Sequence, residues 1–295
     1  MSKSILLIGS NGQIGQELQQ ILPFYGNIIS VARPTVDLTQ PDTLRSIISS
    51  KQPQIIINAA AYTAVDKAES EPELATTINA IAPLIIAQES QKLAACLIHL
   101  STDYVFDGNG CSPYQETDAT NPLSVYGKTK LAGEEAIRET CAHHLILRTA
   151  WVYGTFGKSN FVKTMLRLGA ERQEIRVVAD QIGSPTWAKD IAAVIAQMIS
   201  QLTPEISGTY HYTNSGVASW YDFAVAIFEE AQELGFPLKV ERIIPITTAE
   251  YPTSARRPAY SVLACEKISV IGTYPPHWRQ RLRQMLKDFK IGHRA

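Results

Sequence analysis

One short stretch constrains the fold more than any other. The apolar run Ile5-Leu-Leu-Ile8 passes directly into Gly9-Ser-Asn-Gly12-Gln-Ile-Gly15, and a helical pattern follows over about 13–22. A tight strand-to-helix turn needs residues without a Cβ, and so does a backbone that must come close to a pyrophosphate. The start of the helix then offers free N–H groups and a partial positive charge to an anion. The spacing is Gly-x-x-Gly-x-x-Gly, whereas the standard dinucleotide turn is Gly-x-Gly-x-x-Gly. A glycine triplet alone is weak. Its place on the first strand–helix turn of an alternating chain gives it weight.

That alternation continues. Residues 28–31, 55–58, 96–100 and 145–148 read as further buried strands. Helices are expected from Pro41 onward, over 72–91 and over 126–138, with Pro41 suited to a first turn. Strands apolar on both faces and separated by helices predict a doubly wound parallel α/β sheet, a Rossmann-type fold with helices on both faces. Past Trp151 the rhythm loosens. Helical patterns recur over 161–168, 188–199 and 220–234, the last opened by the capping-box-like Ser219-Trp-Tyr-Asp222. A basic amphipathic stretch over 277–290 reads as a solvated C-terminal helix. The division expected is a dinucleotide-binding domain over 1–150 and a smaller substrate-binding region over 151–295. Parts of about 175–215 are expected to return to the first domain.

Composition removes other classes. With 27 Lys plus Arg against 28 Asp plus Glu, the net charge of −1 supports neither a nucleic-acid nor a membrane-surface partner. No apolar run approaches the ~18 residues of a membrane-spanning helix. The start of the chain enters a strand-like run too short for a secretory core. Cys96, Cys111, Cys141 and Cys265 are scattered, which fits a reduced, cytoplasmic protein. The six histidines make no zinc-like set, and no Gly-x-Ser-x-Gly elbow is present. Gly154-Thr-Phe-Gly157-Lys-Ser159 imitates a P-loop but is two residues short between its glycines, so it reads as a turn.

Four strand ends converge on one candidate site. Strand one ends in the glycine turn, with Gly9, Asn11, Gly12, Gln13, Ile14 and Gly15 as candidate cofactor contacts. Strand two runs out into Arg33, which suits the 2′-phosphate of NADPH; an acidic residue there would suit NADH. Asp37 and Leu38 follow and are placed to lie under the adenine. Strand three ends in Asn58-Ala59-Ala60-Ala61-Tyr62-Thr63, small residues that let a flat cofactor pass. Strand four runs through Leu100 and Ser101 into Thr102-Asp103-Tyr104-Val105, beyond the carboxyl end where open parallel sheets bind ligands. Tyr126 and Lys130 stand four apart at a helix start, one above the other. A phenol titrates near 10 in water, and an ammonium one turn away is expected to lower that value.

These residues together resemble the extended short-chain dehydrogenase/reductases. Longer strings narrow the resemblance to the dTDP-4-dehydrorhamnose reductase family. They are Ala61-Tyr-Thr-Ala-Val-Asp66-Lys-Ala-Glu69-Ser-Glu71-Pro, Ser101-Thr-Asp-Tyr-Val-Phe-Asp-Gly108, Tyr126-Gly-Lys-Thr-Lys-Leu-Ala-Gly-Glu134, Asp180-Gln-Ile-Gly-Ser-Pro-Thr186 and Arg256-Arg-Pro258. The resemblance implies reduction of the 4-keto group of dTDP-4-dehydro-L-rhamnose by NADPH, with NADH as the alternative. It implies Tyr126 as proton donor, Lys130 on the nicotinamide ribose and Thr102 steadying the reacting oxygen. Asp103, Tyr104, Val105 and Trp151 fall near the sugar, and Arg256 or Arg257 faces the diphosphate, an anion that bidentate arginine suits. Some members of the family resemble magnesium-bridged homodimers, and Glu17, read as a surface residue, occupies the matching place. Two rivals remain: a nucleotide-sugar epimerase or dehydratase, and a non-catalytic NADP-binding regulatory subunit.

Overall fold

The structure, a computed structural model, describes residues 3–292. The first two and last three residues of the expected two-part division lie outside it. Six parallel strands form the central sheet: β1 (Lys3–Ile8), β2 (Gly26–Val31), β3 (Ile55–Asn58), β4 (Cys96–Thr102), β5 (His144–Thr149) and β6 (Gly208–His211). Their spatial order is β6-β5-β4-β3-β1-β2. The chain leaves β1 toward β2 and then returns past β1 to β3. A crevice opens where the direction changes, between the carboxyl ends of β1 and β3.

The strands are apolar throughout because both faces are covered. Ile5, Leu7, Ile55, Ile57, Ile98, Leu145 and Leu147 pack on one face against helices α1 (Gln13–Ile21) and Ala188–Ser200. Leu6, Ile8, Ile56, Leu97 and Ile146 face the other way. There they meet α2 (Pro41–Lys51), α3 (Ala82–Lys92) and α4 (Val125–Thr140). The alternation follows from the two-residue period of a strand.

The strand expected over 96–100 runs on to Thr102, and the catalytic helix expected from Tyr126 starts at Val125 behind Ser124, whose Oγ accepts from Gly127 N–H. The helix expected over 72–91 is broken into Pro72–Thr76, a π turn over Thr77–Ile81, and α3. β6 is not legible in the sequence, since Gly208-Thr-Tyr-His is short and only half apolar. As an edge strand it pairs on one side alone.

A second core lies outside the sheet, built from Trp187, Phe223, Ile227, Trp278, Leu282 and Met285. Within 175–215 only Ala188–Ser200 and β6 join the main sheet; Glu174–Val178 pairs instead with Arg242–Ile246. The basic C-terminal helix, Trp278–Gly292, is not a free solvated one. Its Trp278, Leu282, Met285 and Leu286 are buried. Arg279 and Arg283 pair with Glu229, Glu230 and Glu233, and Arg281 with Asp190. Among the described residues no helix is long and apolar enough to cross a membrane.

Candidate active site

The glycine turn closes on the sheet. Gly9 N–H and Ser10 N–H both donate to Val31 O, at 2.9 and 3.2 Å. Gly9 has φ +87°, and a Cβ there would come within 2.7 Å of Ala60 N. A Cβ on Gly15 would lie 2.1 Å from Gly9 O. Only glycine leaves this cradle open. α1 has no side-chain cap and no acidic residue in its first turn, so the N–H groups of Gln13 and Ile14 stay available to an anion. The Gln13 side chain faces away from the turn: its Nε2 donates to Val152 O at 3.2 Å, and its Oε1 accepts from Asn160 Nδ2 at 2.6 Å. Asn11 is exposed on the turn, and its carbonyl accepts from Gln16 Nε2 at 3.0 Å. These residues fit a dinucleotide pyrophosphate.

Beyond β2, Arg33 is exposed and free of hydrogen bonds. Asp37 is half-buried and Leu38 buried beside it. Thr39 donates its N–H and its hydroxyl to Asp37 Oδ1, which holds that carboxyl below its usual range, and Arg33 adds to the effect. On the other side, Ala59, Ala60 and Ala61 border the cradle, with Thr63 exposed further out. Tyr62 N–H donates to Asn79 Oδ1 at 2.8 Å, while Asn79 Nδ2 donates to Tyr62 O and Thr129 Oγ1. Asn79 sits in the π turn, the kind of helical defect that recurs at functional sites. Gly133 lets the turn approach α4, for a Cβ there would meet Asn79 O at 2.2 Å. Asn79 is absent from the sequence-predicted site, and nothing in its local pattern marks it.

At the carboxyl end of β4, Thr102 Oγ1 lies 3.0 Å from Asp103 Oδ1, accepts from Tyr104 N–H at 3.2 Å and hydrogen-bonds the Tyr126 phenol. Asp103 is buried, and its second oxygen, Oδ2, has no partner. Burial pushes the Asp103 carboxyl up to about 6, with Ser261 and Thr102 pulling the other way. Val105 beyond it is fully buried. Tyr104 packs edge-on against Tyr126, centroids 5.5 Å apart.

Lys130 does not do what its spacing predicts. Its Nζ donates to Leu100 O at 2.6 Å and lies 3.2 Å from His99 Nε2. The Tyr126 phenol is accordingly raised to about 12 by burial, against the Thr102 hydrogen bond, instead of being lowered by the ammonium. Burial holds Lys130 down to about 8, although Glu134 favours its charged form. Glu134, one turn further along α4, is bound by Arg148, Arg138 and Ser101. That buried network is also missing from the sequence-predicted site. Its only signal is Glu134 standing four residues after Lys130.

The second core supplies the other wall. Trp151 has φ +47° and stacks on Trp220, centroids 3.6 Å apart and planes 4° from parallel. A Cβ on Gly183 would come within 2.5 Å of its ring. Trp220 therefore covers one face of Trp151, Gly183 lies against its Nε1 side, and the residue stays partly exposed. Arg256 is exposed and unpaired. Its neighbour Arg257 donates to both Asp66 oxygens, at 3.0 and 2.6 Å, and hydrogen-bonds Tyr104.

Glu17 is not a surface residue. It is buried, 3.5 Å from Thr155 Oγ1. Burial raises its carboxyl, with the Lys189 cation pulling the other way. Among the described residues no group of three or more His, Cys, Asp or Glu could hold a metal ion. Asp190 and Asp288 also act on Glu17 and raise it, but Asp190 is paired with Arg281 and Asp288 with Lys189.

Comparison with known proteins agrees with this geometry. The RmlD substrate binding domain family matches residues 3–291. The chain is 47% identical over 292 residues to dTDP-4-dehydrorhamnose reductase of Escherichia coli K12, covering 97% of each. It is 43% identical over 285 residues to the spore coat polysaccharide biosynthesis protein SpsK of Bacillus subtilis, covering 96% of this chain and 97% of that one. Among solved structures it is similar to dTDP-4-dehydrorhamnose reductase of Bacillus anthracis in complex with NADP. That likeness has a TM-score of 0.91 at 40% identity and covers 98% of this chain and 100% of the other. A UDP-glucose 4-epimerase of Thermus thermophilus, at 18% identity and TM-score 0.81, shares the fold alone.

Proposed function

The chain belongs to the dTDP-4-dehydrorhamnose reductase family, and we propose that it reduces the 4-keto group of dTDP-4-dehydro-L-rhamnose to give dTDP-L-rhamnose. The observation that carries this is the meeting of Thr102, Asp103, Tyr126 and Lys130 at one strand end, beside a glycine cradle. Bound NADPH supplies the hydride. Gly9, Asn11, Gly12, Gln13, Ile14 and Gly15 would hold its diphosphate, Ala59 to Thr63 the middle of the groove, and Asp37 and Leu38 the adenine. Arg33 favours NADPH over NADH, since a free guanidinium suits a 2′-phosphate.

Tyr126 hands its phenolic proton to the oxygen that becomes the C4 hydroxyl. Thr102 holds that oxygen and the phenol in line. Lys130 is the cation placed for the nicotinamide ribose; favouring the phenolate would require its ammonium to leave Leu100 O and His99 for Tyr126. The unpartnered Oδ2 of Asp103 is suited to a sugar hydroxyl, because a buried acceptor left empty is costly. Trp151, stacked on Trp220, is placed toward the sugar, with Tyr104 beside Tyr126; Val105, fully buried, has no surface to offer it. Arg256 is the cation free to meet the diphosphate, since Arg257 is engaged by Asp66. Two separate cores favour the division into 1–150 and 151–295, with 191–199, Tyr210, Tyr212, Ile268 and Ile271 returning to the first. A homodimer, with or without magnesium at Glu17, would be read by light scattering in the presence and absence of the ion.

The test is loss of NADPH absorbance with dTDP-4-dehydro-L-rhamnose as substrate. Tyr126→Phe should keep NADPH binding and lose turnover by about 100-fold or more. Near-normal turnover in that variant would remove Tyr126 from the chemistry. Tight NADPH binding without turnover by the unaltered chain would point to a regulatory subunit instead. Replacing NADPH by NADH, in the unaltered chain and in Arg33→Ala, reads the cofactor preference.

A further inference from the structure

Asn58 and His99 stand opposite each other on β3 and β4, and both are fully buried. No motif marks either for chemistry, yet together they lead to Lys130. Asn58 Nδ2 lies 3.1 Å from His99 Nδ1, and His99 Nε2 lies 3.2 Å from Lys130 Nζ. A neutral imidazole has one donor and one acceptor nitrogen. Asn58 Oδ1 accepts from Ala60 N–H at 3.2 Å, which turns the amide NH2 toward the ring. With the amide that way round, Nδ1 must accept, so the ring proton sits on Nε2 and points at Lys130. An ammonium there sets donor against donor; only the neutral amine completes the chain. Reversing the amide gives up the Ala60 N–H bond and inverts the pattern. Oδ1 then accepts from Nδ1–H, Nε2 becomes an acceptor, and the Lys130 ammonium donates to it.

We propose that Asn58 and His99 are positioning residues that tie the charge and the reach of Lys130 to the orientation of one buried amide. The inference rests on the reductase assignment, because it is that reaction which needs Lys130 charged and on the ribose. His99 is itself held well below its ordinary range by burial and by Lys130, so the ring stays neutral and acts through its tautomer. The titratable groups on the elements packed around Lys130 are few. Tyr126 and Glu134 share its helix, Asp103 and Tyr104 follow β4, and Arg148 on β5 is bound to Glu134. Of these Glu134 acts on Lys130, favouring the ammonium, and its carboxylate is shared with Arg148 and Arg138. The single partner whose hydrogen-bonding sense can reverse is His99.

The experiment follows the Lys130 ammonium by NMR with lysine labelled at Cε, alongside the pH profile of kcat/KM. Asn58→Asp presents only acceptors to Nδ1, so it locks Nε2 as the acceptor for an ammonium. Both the Lys130 titration and the alkaline limb of kcat/KM should rise by about one pH unit. His99→Leu takes away the ring N–H that opposes an ammonium and should raise both by less than Asn58→Asp does, with KM for NADPH rising as Lys130 loses its positioning. His99→Gln, whose Oε1 can accept from Lys130, should raise both further than His99→Leu does and return most of the KM. Titrations of Lys130 unmoved in Asn58→Asp and in the folded histidine variants would overturn the proposal. If His99→Leu does not fold, Asn58→Asp and His99→Gln decide alone. Failure of the reductase assignment would appear separately, as no turnover by the unaltered chain, while the NMR titration still reads Lys130.

Discussion

Asp103 shows how one buried group records what the site is for. Its carboxyl keeps its proton up to about 6 in the folded chain, against an ordinary value of 3.8. The folded state therefore binds a proton that the unfolded state has released, and stability falls as pH rises through that window. At about 1.4 kcal/mol per pH unit, the cost at neutral pH is about 3 kcal/mol. Asp103→Asn cannot ionise. Denaturant unfolding at pH 5 and pH 7.5 should show the variant gaining on the unaltered chain by about 1.4 kcal/mol between the two. The same variant should bind substrate more weakly, because its amide cannot accept at both positions. Equal pH slopes would mean that Asp103 is ionised throughout.

At the scale of the element, α4 organises the site. Tyr126, Lys130, Glu134 and Arg138 recur every four residues, so they form one stripe along the helix. Opposite them on β4 and β5 stand His99, Ser101 and Arg148, all buried. The strand period sets that series and the helix period sets the other, and the two match over three contacts. The helix start is held by the Ser124 cap and by Glu69, whose Oε1 accepts from Val125 N–H at 2.9 Å. Glu134 and Arg148, with side chains 0% and 3% exposed, are the buried ion pair on which the alignment depends. Glu134→Ala leaves the Arg148 guanidinium buried and unpaired, a loss of about 3–5 kcal/mol. Thermal unfolding should show it. Replacing Glu134 and Arg148 together by apolar residues should cost less than Glu134→Ala alone, because no charge is then stranded.

Across the whole molecule, the cleft is joined by one polar clamp. Asp66 comes from the short helix Val65–Ala68 after β3 and Arg257 from the 151–295 half of the chain, and Tyr104 sits against both the guanidinium and Tyr126. The pair is partly exposed, at 20% for Arg257 and 44% for Asp66. Exposed pairs of this kind contribute under about 1 kcal/mol to stability. Its effect belongs to the geometry of the cleft. Arg257→Leu should leave the melting temperature nearly unchanged and raise KM for the nucleotide sugar several-fold, with a smaller change in kcat. Asp66→Asn should reproduce most of that effect, and the double variant should add little. A large stability loss with KM unchanged would make the clamp merely structural.

Much of the site is legible in the amino-acid sequence, because its chemistry lies close along the chain. A glycine cradle, a Tyr–Lys pair one turn apart and a polar strand end are patterns that backbone geometry alone imposes. The five strands of the first half are visible for the same reason, as continuous apolar runs between helix signals. What stays hidden depends on partners far along the chain. β6 has too little apolar length to announce itself and exists because β5 offers an edge. Spacing places Lys130 beneath Tyr126, but packing gives its ammonium to Leu100 O and His99. Arg256 and Arg257 are equal as neighbours until Asp66, 191 residues from Arg257, takes one of them. Glu17 has the look of a surface ligand until the fold buries it beside Thr155. Sequence determined which groups the site contains, since bond geometry and periodicity act locally. Tertiary structure decided which of them are charged, paired or free, since desolvation and ion pairing depend on what the rest of the fold brings near.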